Sequence, residues 1–165
     1  MAVFASLVAG ADGSTTKGGN SRGITNGVDR TAFLTRRRSA DFLLIGGETA
    51  RTEPYHRTPV PVVVASRSMI NALADNRLAY WWNLSPATAL VKGISKFGEN
   101  VLVESGPSLI DDLLINKALD GIYLSITNIT GGENRIDTAA LLANFIEVNR
   151  QEIEGTQFIE AKTRR

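Results

Sequence analysis

Two stretches of this chain join an apolar run to a small-residue turn and a helix start, and both have the chemistry to hold a phosphate. In Val101-Leu-Val-Glu104-Ser-Gly-Pro-Ser-Leu109 the run empties into Ser-Gly-Pro; in Asp41-Phe-Leu-Leu-Ile-Gly46-Gly-Glu-Thr49 it empties into Gly-Gly. Each predicts a strand whose carboxyl end hands over to a helix N-terminus. Backbone N–H groups are free there, and the helix dipole favours an anion. Open α/β sheets bind phosphorylated ligands at such strand ends. Glu104, the last polar side chain of its strand, faces the same crevice or its rim. Two such turns in one short chain suggest a nucleotide cofactor site.

Other chemistries are excluded by composition. The chain has no cysteine, so neither disulfides nor thiolate catalysis is available. Its one histidine, His56, rules out a multi-histidine metal site and is the only candidate base for a Ser-His-Asp triad. No metal is expected. With 18 basic and 17 acidic residues the net charge is +1, which predicts no bulk affinity for nucleic acid or membrane surfaces. No apolar run approaches the roughly 20 residues of a membrane span. Met1-Ala-Val-Phe-Ala lacks the basic start of a secretory signal, so a cytoplasmic protein is expected. At 165 residues, 43% of them hydrophobic, one domain over 1–165 with a real core is expected.

The elements that must position those turns follow from apolar patterning. Val3 to Val8, Asp41 to Ile45, Pro61 to Ala65, Val101 to Val103 and Gly121 to Thr127 read as buried strands. Gly10 to Gly27 is a loop with six glycines, and loops this long are usually functional. Asp29 is expected to cap a helix running to about Arg38, whose Arg36, Arg37 and Arg38 offset the dipole at its end. Helical patterning covers Met69 to Leu73 and Pro86 to Lys96, with Tyr80-Trp81-Trp82 between as core or subunit contact. Ser108 is expected to cap the helix after the Ser-Gly-Pro turn, which would show one apolar stripe through Leu109, Ile110, Leu113, Leu114 and Leu119. Phe145 to Val148 and Gln157 to Ala161, around Glu154-Gly155, read as an antiparallel hairpin. Strands alternate with helices up to that tail, which predicts an α/β fold with a mainly parallel central sheet flanked by helices.

Four segments together resemble the reductase domain of riboflavin biosynthesis. Ala11-Asp12-Gly13 with Gly18-Gly19 is similar to that family's Ser-x-Asp-Gly loop and glycine pair, with Gly10 where the serine usually stands. Gly46-Gly47-Glu48-Thr49, followed by Glu53-Pro54, resembles its Gly-x-x-Thr cofactor segment and acidic-Pro pair. Val62-Val-Val-Ala-Ser66-Arg67 resembles the strand end that receives an adenosine 2′-phosphate. Glu104-Ser105-Gly106-Pro107-Ser108-Leu109 matches Glu-[Gly/Ala]-Gly-Pro-[Thr/Ser]-Leu. The resemblance runs in order from the N-terminus to about Gly132. Two departures stand out: Glu48 replaces a residue that is often Gly and brings an anion near a pyrophosphate site, and the stretch between Arg67 and Val101 is short for the family.

The resemblance implies a dihydrofolate-reductase-like fold, a homodimer, and an NADPH-dependent reductase acting on a phosphorylated ribosylaminopyrimidine. It also implies roles. Gly46, Gly47, Thr49, Ser105, Gly106, Pro107 and Ser108 would hold the pyrophosphate of NADPH, and Ser66 and Arg67 its 2′-phosphate. Asp12, Glu53 and Glu104 would bind substrate amines or supply the proton. Lys17, Arg22 and Arg51 would reach a ribose phosphate, with the glycine-rich loop closing over the ligand. Two alternatives remain: a reductase of a pterin-like or other small acceptor, and a nucleotide-binding or dimerisation scaffold that has lost catalysis.

Overall fold

Runs such as Phe42-Leu-Leu-Ile and Val62-Val-Val have no polar alternation, as expected of strands covered on both faces. A computed structural model describes residues 2–163. It places these runs at the centre of one eight-stranded sheet. The strands are β1 (Ala2–Ala9), β2 (Phe42–Gly46), β3 (Val62–Ala65), β4 (Ala79–Trp82), β5 (Asn100–Val103), β6 (Gly121–Ile126), β7 (Glu147–Ile153) and β8 (Thr156–Lys162). Their order is β4-β3-β2-β5-β1-β6-β8-β7. The first six run parallel, and β8 and β7 close the sheet antiparallel. The α/β class, the mainly parallel sheet and the C-terminal hairpin are as the sequence predicts.

The helices are α1 (Gly27–Ser39), α2 (Gly47–Thr52), α3 (Pro86–Phe97), α4 (Pro107–Ile115) and α5 (Thr138–Leu142). Successive β2 side chains enter opposite cores. Phe42 and Leu44 join Leu90, Ile110 and Leu113 under α3 and α4, while Leu43 and Ile45 join Ala50, Tyr55 and Leu73. At Gly93 of α3 a Cβ would lie 2.5 Å from the Phe42 ring, so glycine lets the helix sit against β2.

Several local expectations are corrected. Asn26, not Asp29, caps α1: its side chain accepts from the Asp29 N–H, and Asp29 is buried one turn inside. Gly106 is the N-cap of α4, with Pro107 first in the helix, because proline's fixed φ suits that position; Ser108 falls beyond it. No helix forms over 69–73. Side chains of Ser68, Asn71 and Asn76 instead accept from backbone N–H groups two residues on, building turns that compete with helix. Tyr80-Trp81-Trp82 belongs to β4, the half-buried edge strand. Tyr80 and Trp82 pack toward α3, and the Trp81 indole donates to the Ser68 carbonyl. The hairpin turns at Glu154-Gly155 as expected, with both residues at positive φ, but its first strand begins at Glu147 and buried Phe145 precedes it. Helix α5, one short turn capped by Asp137, was not foreseen.

Gly93→Ala is expected to destabilise by about 1–3 kcal/mol through overpacking against Phe42. Urea unfolding of parent and variant checks this, and an unchanged midpoint would show that the ring yields freely.

Candidate functional site

Because β2, β3, β5 and β1 run parallel, their carboxyl ends share one edge of the sheet. The turns after β2 and β5 are tied there by one hydroxyl: Ser105 Oγ accepts from the Gly46 N–H at 3.1 Å and lies 3.2 Å from Thr49 Oγ1. These turns form the floor of a cleft of about 1180 Å³. At one end it is bounded by Ser66 and Arg67 after β3, by Asn83 and Leu84 after β4, and by Pro86, which opens α3. The shortened middle of the chain thus still supplies a wall. At the other end lie Asp29, Phe33 and Arg37 of α1, with Glu53, Tyr55 and Glu104.

Glu104 follows β5 directly, and only 1% of its side chain is exposed. Arg37 meets it with both arms of its fork, Nη2 to Oε1 at 2.8 Å and Nε to Oε2 at 3.2 Å. The buried Tyr55 hydroxyl donates to Oε1 at 2.9 Å. The guanidinium centre lies 4.6 Å from the Phe33 ring centroid and 5.1 Å from that of Tyr55. Burial raises the Glu104 carboxyl above the ordinary carboxylate value, while Arg37 and Tyr55 pull the other way. Burial also pushes the Tyr55 hydroxyl up, and the Glu104 charge adds to that. For Arg37, burial works against the charge, but the bonds to Glu104 outweigh it and raise its pKa.

The other expected residues separate into two groups. Gly46, Gly47, Thr49, Glu53, Ser66, Arg67, Ser105, Gly106, Pro107 and Ser108 all line the cleft, with Glu104. Arg67 is exposed there and pairs with no described acid. Glu53 accepts from the Ser21 N–H at 2.7 Å and the Ser21 hydroxyl at 3.1 Å, anchoring the glycine-rich loop. Asp12, Lys17, Arg22 and Arg51 do not border the cleft. Asp12 accepts from the Ser14 hydroxyl at 2.6 Å and the Gly131 N–H at 2.8 Å, and it pairs with Arg135. Those bonds, the Ser14 hydroxyl first, hold its carboxyl well below the usual carboxylate range. Lys17 donates to the Thr130 carbonyl, and Arg22 is exposed. Arg51 reaches back along α2, its Nη1 3.1 Å from where a Gly47 Cβ would stand. The cleft's cations are instead Arg30, Arg37, Arg57, Arg67 and Arg135. Glu48 is exposed at its rim.

The sequence reading missed Arg37 and Tyr55. One signal was available for Arg37: Asp29, Phe33 and Arg37 recur every four residues, which puts them on one helix face.

By sequence, the chain matches no protein-family model and no curated protein. Solved structures do match it in shape. A diaminohydroxyphosphoribosylaminopyrimidine deaminase/5-amino-6-(5-phosphoribosylamino)uracil reductase from Thermotoga maritima has a TM-score of 0.73 at 15% identity, over 98% of this chain and 56% of that one. The RibD protein of Acinetobacter baumannii gives 0.74 at 14%, over 99% and 58%. A pyrimidine reductase-like protein from Corynebacterium diphtheriae gives 0.69 at 16%, over 99% and 92%. The fold is the dihydrofolate-reductase-like one of these reductase domains. The chain spans a little over half the length of the first two neighbours.

The two turns at the strand ends fit a phosphate-bearing ligand. No atom lies within 4 Å of where a Gly106 Cβ would be, so the backbone of the second turn is open to close approach. At Gly47 a Cβ would stand 2.6 Å from Ser66 Oγ, so glycine keeps the first turn against the end of β3.

Arg37→Ala would leave Glu104 as a buried carboxylate without its cation, expected to cost about 3–5 kcal/mol. Adding Glu104→Gln should recover much of that loss. Urea unfolding of the single and double variants checks this, and additive losses would mean that the two side chains do not depend on each other.

Proposed function

We propose that this chain is an NADPH-dependent reductase that converts the ribosylamino group of a phosphorylated ribosylaminopyrimidine to ribitylamino. The observation that carries the reading is a single cleft with an open two-turn phosphate cradle at its centre, an unpaired arginine at one end and a buried acid cluster at the other. The neighbours of the same fold include a 5-amino-6-(5-phosphoribosylamino)uracil reductase, which supports the substrate class.

When bound, the reduced nicotinamide supplies a hydride. The chain's own work is binding, orientation and proton supply. Backbone N–H groups of Gly47, Glu48 and Thr49 and of Gly106 and Ser108 hold the pyrophosphate, with Thr49 adding a hydroxyl. Ser66 and Arg67 take the 2′-phosphate, which suits arginine's charge and planar fork. The open-chain form of the substrate is an imine: its carbon takes the hydride and its nitrogen takes a proton, giving a secondary amine. Glu104 is assigned as the proton relay: Arg37 and Tyr55 hold it as the carboxylate between turnovers, and burial, which raises it, favours its taking up the proton that it passes to the nitrogen. Arg37 and Tyr55 fix its orientation. Glu53 faces the same end and is assigned to the pyrimidine's amino groups, as is the rim cation Arg30 to the ribose phosphate.

Parallel fluorescence titrations with NADPH and NADH, read through Trp81, Trp82 and the nicotinamide, test the reading. Saturation selective for NADPH supports it, and a folded protein that saturates with neither leaves a scaffold. Arg67→Ala is expected to weaken NADPH binding by about 1–3 kcal/mol and leave NADH nearly unchanged; equal losses would remove Arg67 from the 2′-phosphate. With the ribosylaminopyrimidine as substrate, turnover needs the protonated form of Glu104. It is therefore expected to fall as pH rises through a value above the ordinary glutamate pKa of about 4.3. Glu104→Gln should abolish most turnover while sparing NADPH binding. Unchanged turnover would exclude Glu104 as the donor.

A further inference from the structure

Asp29, Phe33 and Arg37 share one face of α1, and all three border the substrate end of the cleft. Phe33 and Arg37 serve the Glu104 cluster, but Asp29 has no part in it. Only 6% of Asp29 is exposed. Its Oδ2 accepts from the Thr25 hydroxyl rather than from a cation, and Arg36, which feels its charge, donates to the Ser6 hydroxyl instead. Among the described residues Oδ1 meets no donor, yet it is not sealed in, because the one buried orphan oxygen belongs to Asp112. Oδ1 is therefore an open acceptor on an otherwise buried carboxylate at the cleft wall. Capping does not account for it, since Asn26 caps α1 with its own side chain. The first turn of the helix supports the negative charge. An acceptor within reach of a ligand but largely withdrawn from bulk water favours a ligand that brings a donor.

The neighbours narrow which donor. A phosphate would be repelled by the carboxylate. The adjacent Arg30 is the cation assigned to the ribose phosphate, and Glu104, held by Arg37 farther along α1, is assigned to the reacting nitrogen. The part of the substrate that joins these two points is the sugar chain, whose secondary hydroxyls are uncharged donors. Opening the sugar to the imine frees one further hydroxyl, on the carbon whose oxygen had closed the ring. An acceptor placed there favours the open chain, which is the form that takes the hydride.

We propose that Asp29 accepts a hydrogen bond from a hydroxyl of the substrate's opened sugar, so that the chain reads the sugar as well as its phosphate. This rests on the reductase reading above.

The test compares two ligands of the same length and phosphate: ribitol 5-phosphate, and 5-hydroxypentyl phosphate, which lacks the secondary hydroxyls. A third, 5,6-diaminouracil, carries amine donors and no sugar. Dissociation constants for the NADPH-saturated parent, Asp29→Ala and Asp29→Asn are measured by calorimetry, with NADPH binding and thermal unfolding of each. The parent is expected to bind ribitol 5-phosphate about ten- to a hundredfold tighter than 5-hydroxypentyl phosphate, the range for a hydrogen bond to a charged acceptor. Asp29→Ala should reduce that preference to within about twofold while leaving diaminouracil and NADPH binding as in the parent. Asp29→Asn keeps an oxygen for Thr25 but removes the charged acceptor, so it should give an intermediate preference. It carries the test if the alanine variant does not fold. A parent without preference between the two phosphates overturns the assignment, as does a variant that keeps the parent's preference. A loss confined to diaminouracil would move Asp29 to the pyrimidine amines and overturn it too. A folded parent that does not bind NADPH overturns the reductase reading, and the assignment falls with it.

Discussion

A carboxylate with 1% of its side chain exposed must have its charge answered within the protein, and the substrate end of the cleft is organised around meeting that demand at Glu104. The strand register sets where Glu104 leaves the sheet, and α1 must then run so that Arg37 arrives with its fork in plane. Phe33, one turn earlier, lies against the guanidinium, and Tyr55 closes the remaining side. Three separate segments are fixed by one charge. Each group would be unfavourable alone at that depth, and together they give a rigid polar surface at the end of an apolar strand.

The second constraint is the parallel sheet itself. It brings the carboxyl ends of adjacent strands to one edge, so the turns after β2 and β5 face the same ligand without any long-range device. The Ser105 hydroxyl then fixes their separation by bonding the other turn's Gly46 N–H. Charge differs between the two ends of the cleft: Arg67 stands alone after β3, while beside α1 the acids Asp29 and Glu104 are interleaved with Arg37.

Much of this was legible from residue types. The central strands were visible because they are apolar without interruption, and the two turns because Gly and Pro stand where strands end. The resemblance located Glu104, Glu53 and Arg67. What the sequence hid has physical causes. β7 is exposed on both faces and carries only Val148 and Ile153 among polar residues, so no alternation marks its start. The stretch over 69–73 has helical spacing, but Ser and Asn side chains capture its backbone N–H groups. Asp12 has the composition of a catalytic acid, yet its oxygens are used by Ser14, Gly131 and Arg135. Arg37 was read as one of three helix-end cations, because adjacent arginines look equivalent until a partner selects one of them.

The glycine-rich loop was expected to be a mobile cover, but it is stitched to the segment after β6. Thr15 bonds the Asn134 carbonyl, Thr16 bonds Glu133, Lys17 bonds the Thr130 carbonyl and Asp12 bonds Gly131. These partners stand 113 to 119 residues apart in the chain. Closing so long a loop is entropically costly until the intervening sheet has brought both ends together. The rim of the cleft is therefore among the last parts of the molecule to take shape as it folds. A chain emerging during synthesis holds the pieces of its binding site apart until β6 and the residues after it are made.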